Sequence, residues 1–236
     1  MTKQEIIKHA KIAFAQSMDL PEDTFFRSEN VFVEGEDFEF MQFGRNAAVK
    51  TIPSVLAWFK ENYADSPADH IMTEDDHNAV RAKLAEHDIE IGVQDTVYLR
   101  LYEGQDAPKP QGIELESCDK NRLDELAKDF DEDDFHYALD YANDDEAFGI
   151  AARKNGEIIA IAVCEDSGTD KFWHIGIDVN ERHTGQGLAT YLLKELCKEI
   201  EKRGYLPKYV TWPENIKSIR TAISAGFVPV LTWHST

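Results

Sequence analysis

The sequence predicts an α/β chain of the α+β kind, with a smaller N-terminal α+β domain at residues 1–105 and a larger one at 111–236. Three observations predict it. Residues 103–112 (EGQDAPKPQG) combine two Gly and two Pro with no apolar periodicity, so they read as a linker. Asn155-Gly156 stands between two apolar runs, the strongest short signal for a hairpin. Leu188, Leu192, Leu196 and Ile200 recur every fourth residue, the period of a helix laid on a sheet.

Each element has its own reason. Thr2 and Glu5 fit a capping box that opens a helix with Ile6, Ile7, Ala10 and Phe14 inward. Residues 30–33 and 37–50 read as strands, and 51–63 as a helix with Pro53 in its first turn. Residues 73–87 read as a further helix with Ile71, Val80, Leu84 and Ala85 as core contacts. Residues 95–102 (DTVYLRLY) alternate as a half-buried strand does. His70 and His77 flank Asp75 and Asp76, a grouping that is far more ordinary as a solvated helix start than as a metal site. Beyond the linker come a short strand at 113–117 and helices at 122–130 and 134–141. The hairpin strands are 148–153 and 157–165, and a third strand spans 172–179. The leucine-rich helix spans 188–203, with Gly204 ending it and Lys202 and Arg203 at its negative end. A strand at 208–212, a helix at 215–225 stopped by Gly226, and a strand at 227–233 complete the chain.

Composition narrows the function. With 42% hydrophobic and 30% charged residues, the 236-residue chain has the makeup of a protein with a packed core. No apolar run approaches the roughly 20 residues of a membrane helix, and the first ten residues lack the apolar region of a secretory signal. Cys118, Cys164 and Cys197 are too few and too scattered for a disulfide framework or a paired-cysteine zinc site, and no metal is expected. These features together predict a cytoplasmic protein. The net charge of −20, from 45 acidic against 25 basic residues, opposes binding to nucleic acid or to anionic lipid. The same field favours cations.

The informative segment is IDVNERHTGQGLAT, residues 177–190. A strand ends, a short loop with two glycines follows, and a long helix begins. That order aims main-chain N–H groups and the positive helix end at one place, and the glycines let a diphosphate approach without a Cβ in the way.

In its context of hairpin, strand, glycine loop, long helix, strand, helix, Gly-Phe and strand, this segment resembles the GNAT superfamily of N-acetyltransferases. The family loop reads Arg/Gln-x-x-Gly-x-Gly/Ala after a strand ending in Val. Val179, Gly187 and Ala189 match it, and Thr184 departs from it. A shifted register through Arg182, Gly185 and Gly187 also satisfies the pattern, at a shorter distance from Val179. Asn215, Ser218 and Gly226-Phe227 resemble the family's second motif, and the resemblance spans the chain from about Ile113 onward.

The resemblance implies a mixed, mostly antiparallel sheet flanked by helices, and acetyl-CoA as co-substrate. It implies that Ile177 and Val179 offer main-chain contacts to the pantetheine arm, with an N–H there polarising the thioester carbonyl. Thr184, Gly185, Gln186, Gly187, Leu188, Ala189 and Thr190 would hold the diphosphate, and Asn215 would reach the pantetheine. Lys217 and Arg220 stand where they meet the nucleotide phosphates or form a solvated helix face. The Tyr that many relatives use as general acid is Ala222 here, and the Glu that some use as base is Trp173. His174, Asp178 and Glu165 are the substitutes by location. Asp129, Asp131–Asp134 and Asp144–Glu146 fall where the family places its acceptor wall, which favours a cationic amine; a helix cap is the plainer reading of the first group. The expected activity is transfer of acetyl from acetyl-CoA to a primary amine, small and cationic or on a peptide. The alternative is an acyl-CoA-binding sensor or scaffold that catalyses little.

Overall fold

The structure is a computed structural model that describes residues 1–130 and 135–236. Along the chain run α1 (Lys3–Ser17), β1 (Val31–Glu34), β2 (Glu39–Phe43), β3 (Asn46–Thr51), α2 (Pro53–Tyr63), α3 (Glu74–Ala85) and β4 (Asp95–Arg100). There follow β5 (Glu114–Cys118), α4 (Lys120–Asp129), α5 (His136–Leu139), β6 (Phe148–Lys154), β7 (Glu157–Thr169) and β8 (Phe172–Val179). The chain ends in α6 (Leu188–Lys202), β9 (Leu206–Thr211), α7 (Ile216–Ser224) and β10 (Phe227–Ser235). Among the described residues, no helix is long and apolar enough to cross a membrane.

Two compact units divide these elements. The first comprises Met1–Val97, Thr211–Glu214 and Pro229–Thr236, and the second Tyr98–Val210 and Asn215–Val228. The sequence boundary at 105–111 therefore lies within the second unit. Its first residues are tied there, because Leu101 and Tyr102 donate to the Gly226 carbonyl and Gln105 donates to that of Ser224.

In the first unit, Thr2 and Glu5 cap α1 reciprocally, at 2.7 and 3.3 Å. Strand β1 pairs in parallel with β3, β3 antiparallel with β2, and β2 antiparallel with residues Leu231–Ser235 of β10. Phe38, Phe40, Val49, Val55, Phe59 and Leu84 form the core. Ala85 is exposed, because the last turn of α3 rotates it off the apolar face, contrary to the expectation that it packs. Asp76 accepts from the Tyr63 hydroxyl at 3.0 Å, and the His77 ring lies 5.6 Å from that of His234. Asp76 and His77 are thus engaged in the packing of this unit.

The second unit holds the strand order β4-β9-β8-β7-β6-β5. Pairings from β8 to β5 are antiparallel, and β8 to β9 is parallel. The sheet is mixed and mostly antiparallel, as expected. Asn155 and Gly156 both take positive φ, 54° and 87°, which gives the hairpin between β6 and β7 its tight turn. One face of the sheet (Ile150, Ala160, Ala162, Ile175) packs on Leu192, Leu196 and Ile200 of α6 and on Ala222 of α7. The other (Ala151, Ile161, Val163) packs on Leu123 and Leu126 of α4 and Ala138 of α5. Strand β4 ends at Arg100, earlier than the alternation suggests, and Val97 to Arg100 are all buried. Arg100 is satisfied by Glu201 and Glu103. Alternation in sequence came from a strand covered on both sides whose polar member is paired rather than solvated.

Candidate active site

The site begins where β8 ends. Asn180 donates to the Ile159 carbonyl at 2.9 Å, then residues Glu181–His183 make one 3-10 turn. Thr184 closes that turn, its hydroxyl donating to the Glu181 carbonyl at 3.0 Å. Gly185 and Gly187 adopt φ of 75° and 76°, and a Cβ built on either meets no atom within 4 Å. The main chain is thus bare on its open side, which is the room an anion needs to touch it. Gly187 is the N-cap of α6, and the first intrahelical bond there is from Tyr191 N–H to its carbonyl at 3.0 Å. The N–H groups of Leu188, Ala189 and Thr190 belong to the first turn and have no partner within the helix. Gln186 and Leu188 also line a cleft of about 520 Å³ with Pro110, Ile113, Lys154 and Ile159. The backbone here fits a diphosphate.

Next to the loop the sheet opens. β8 and β9 pair only at Phe172 with Leu206, Trp173 with Pro207 and His174 with Lys208. Past His174 both strands continue without pairing to each other. Asn180 bonds toward β7, so by strand alternation the N–H and C=O of Ile177 and Val179 point the other way, into the gap. Extended main chain of a linear ligand has free partners there.

The side chains of His174 and Asp178, with bare Gly176 between them, share the face of β8 turned toward α5. The Tyr141 ring covers it, 4.6 Å from the His174 ring and edge-on. Gly176 permits that contact, because a Cβ at this position would sit 2.2 Å from Tyr141 Cδ2. The Asp178 carboxylate accepts from Ala138 N–H at 2.7 Å, and burial raises its pKa. Glu165, paired in register with His174, accepts from Asn143 N–H at 3.3 Å, and burial raises its pKa too. The His174 residue is partly exposed, but its Nε2 is enclosed without a hydrogen-bond partner. Burial and then the nearby Lys208 charge push this imidazole down to about 3.

The structure brings His174 and Glu165 together and adds two residues that sequence reasoning missed. Lys208 completes a row with them across three strands. Tyr209, the next residue of β9, bonds through its hydroxyl to Ser218 Oγ of α7 at 2.6 Å. A Lys or Tyr in a strand carries no signal until register places it. Asn215 caps α7, its Oδ1 accepting from Ser218 N–H at 3.2 Å. Lys217 and Arg220 are exposed on α7, and Ala222, where relatives carry a Tyr, is fully buried. Asp131–Asp134 of the expected acidic wall lie outside the described residues. Among the described residues, no group of three or more His, Cys, Asp or Glu is placed to hold a metal ion.

The family profile described as GNAT acetyltransferase matches residues 68–235. Solved structures with a similar arrangement include an acetyltransferase from the GNAT family of Colwellia psychrerythraea, at 18% identity and a TM-score of 0.47, over 65% of this chain and 61% of that one. A GCN5-related N-acetyltransferase-like protein from Streptococcus suis matches at 14% identity and 0.46, over 70% and 69%. A functionally unknown conserved protein from Staphylococcus epidermidis matches at 14% identity and 0.47, over 80% and 82%. This chain thus spans less than two thirds of the Colwellia protein. Comparison with curated proteins finds no match.

Proposed function

Because the chain belongs to the GNAT acetyltransferase family, we propose that it transfers an acetyl group from acetyl-CoA to a primary amine, either a small cationic amine or a peptide amine. The observation that carries this reading is the continuity of the glycine turn at Gly185–Gly187 with the gap between β8 and β9. The turn takes the diphosphate on main-chain donors and the positive end of α6. The inward edge of β8 at Ile177 and Val179 takes the pantetheine arm as a strand takes a partner. An N–H on that edge polarises the thioester carbonyl as charge develops on its oxygen. Asn215 meets the pantetheine from the start of α7. The net charge of −20 favours a cationic acceptor, with Asp129, Asp131–Asp134 and Asp144–Glu146 as its approach. Three buried free thiols, at Cys118, Cys164 and Cys197, suit a reducing cytoplasm.

The test is free-thiol release from acetyl-CoA with spermidine, agmatine and a lysine-containing peptide, alongside calorimetric titration of acetyl-CoA. Binding with amine-dependent release supports the reading, and release should weaken with added salt as the acceptor's attraction is screened. Tight binding without release from any amine would favour a second reading, an acyl-CoA sensor, to which the apolar Ala222 lends support.

A further inference from the structure

We propose that Lys208 is the catalytic base that accepts the proton of the acceptor's ammonium group, at the end of the row it forms with Glu165 and His174. This deepens the acetyltransferase reading above and rests on it.

The placement is specific. Glu165, His174 and Lys208 occupy consecutive register positions on β7, β8 and β9, so their side chains emerge on one face in a line across the sheet. His174 and Lys208 are also the last pair before the two strands part. Lys208 therefore stands at the closed end of the gap whose edge presents Ile177 and Val179. Only 8% of it is exposed, and it makes no hydrogen bond or ion pair among the described residues. Its Nζ keeps only a narrow opening to solvent, and an ammonium so largely desolvated with no partner readily sheds its proton.

Its surroundings favour shedding. Burial lowers the Lys208 pKa to about 8, against the smaller opposing pull of Asp166 and Glu165 on β7. His174 on β8 faces it as a neutral ring, and Tyr141, just after α5, closes the face over His174. A lysine at its usual value near 10.4 is neutral less than about 1% of the time at pH 8; one near 8 is neutral about half the time. A base of that strength is about two units weaker than an alkylamine, so it takes the proton uphill but is itself free of one for much of the time near pH 8. An imidazole held near 3 holds no proton at neutral pH, so His174 is a poor base itself. Its part is to shape the pocket and stay uncharged beside the lysine.

The proton account balances. Neutral Lys208 takes one proton from R–NH3+, leaving R–NH2 to attack. The nitrogen bonds to the acetyl carbon, the carbon–sulfur bond breaks with its electron pair on sulfur, and Lys208 returns its proton to that sulfur. The second proton of the nitrogen leaves to water. The sum is amide, free thiol and one H+.

The test compares the full chain with Lys208→Met, Lys208→Arg and Lys208→Cys, the last before and after aminoethylation. Acetyl-CoA and spermidine are the probes. For the unaltered protein, kcat/KM should rise with pH through a limb near 8, and the side-chain NMR signal of Lys208, assigned by its loss in Lys208→Arg, should titrate at the same pH without any substrate. Both Met and Arg variants should lose about 100-fold or more in kcat, a general-base effect, while calorimetric affinity for acetyl-CoA and Tm hold. Aminoethylation of the Cys variant should restore activity with the limb moved to lower pH. A Lys208→Arg variant that keeps its kcat, or a Lys208 signal that titrates near 10.4, overturns the proposal. Should unaltered protein release no thiol with any amine tested, the acetyltransferase reading itself falls and this inference with it.

Discussion

The glycine turn and the Glu165–His174–Lys208 row lie at opposite ends of one gap and handle charge by opposite means. The turn is exposed, and its donors are main-chain groups fixed by two positive-φ glycines and a helix start. None of those donors titrates, so what it binds it holds equally across the physiological pH range. The row is partly to largely buried, and its chemistry lies in side chains whose protonation burial has moved. The difference teaches where pH enters this molecule. Substitution in the turn should change affinity at all pH values, and substitution near the row should change the dependence on pH.

The largest effect expected is on acid stability, because buried histidine is not confined to the row. His234 in the first unit is 3% exposed with both ring nitrogens unpartnered. Burial, and then His77, lower its pKa to about 4. A ring whose folded pKa lies below the unfolded value near 6.5 leaves stability intact above pH 6.5. Stability is then lost as pH falls from 6.5 through about 4 for His234, and through about 3 for His174, because the unfolded chain binds the proton first. His234 alone accounts for on the order of 3 kcal/mol over that window. Urea titrations at pH 7.5, 6 and 5 should show the fall, and His234→Gln should flatten it. A stability that is level from pH 7.5 to 5 would show that these rings are not held neutral.

Next in size is the turn itself. Gly187→Glu places a carboxylate where the diphosphate sits, and acetyl-CoA affinity should drop at least about 100-fold, roughly 3 kcal/mol. Part of any destabilisation belongs to φ of 76°, so Gly187→Asn, which tolerates that region, is the control. Unchanged affinity in a folded Gly187→Glu protein would remove the turn from the cofactor site.

Gly176→Ala probes the other half. Its Cβ would overlap the Tyr141 ring, so the ring must shift, at a cost of about 1–3 kcal/mol in stability. With the cover displaced, water reaches His174, and its NMR titration should move up toward the ordinary histidine value. Acetyl-CoA affinity should stay constant. A His174 titration unmoved by the substitution would mean that Tyr141 is not what keeps the ring dry.

The two halves also differed in how far the sequence disclosed them. A main-chain site needs glycine at set places before a helix with a strong period, and both are written locally in residues 177–200. The hairpin was equally legible, because Asn155-Gly156 specifies its own turn. The row depends on the pairing of three strands. Nothing local says that Lys208 lies beside His174, and a register one residue different would turn it to the other face. Ala85 and the end of β4 depart from the sequence expectation for a related reason: periodicity says which residues share a face, and packing decides whether that face is covered. The two compact units follow hydrogen bonding rather than composition. A Pro/Gly-rich stretch marks where backbone is irregular, but residues 101–105 are hydrogen-bonded to the end of α7, and β10 contributes residues to both units. We expect limited proteolysis to cut within 106–112 and the two pieces to remain associated under native conditions.

The smallest effect belongs to Asn215, which stands between the two modes because one side chain is asked to do two things. Its Oδ1 caps α7 by accepting from Ser218 N–H. Its amide Nδ2 is the donor that the acetyltransferase reading assigns to the pantetheine arm. Asn215→Ala removes both, and should cost about 1 kcal/mol of stability from the lost cap together with some affinity. Asn215→Ser separates them, since a serine hydroxyl caps about as well as asparagine but cannot extend an amide N–H into the gap. Stability of the Ser variant should return to within a few tenths of a kcal/mol of the unaltered protein. Its acetyl-CoA affinity should remain lower by about 3- to 10-fold, the worth of one neutral hydrogen bond. The deficit should be the same at pH 7 and pH 9, as for any contact on the untitrated side of the gap. If the Ser variant binds acetyl-CoA as tightly as the unaltered protein, Asn215 is a helix cap alone, and the pantetheine arm is held by the edge of β8 without help from α7.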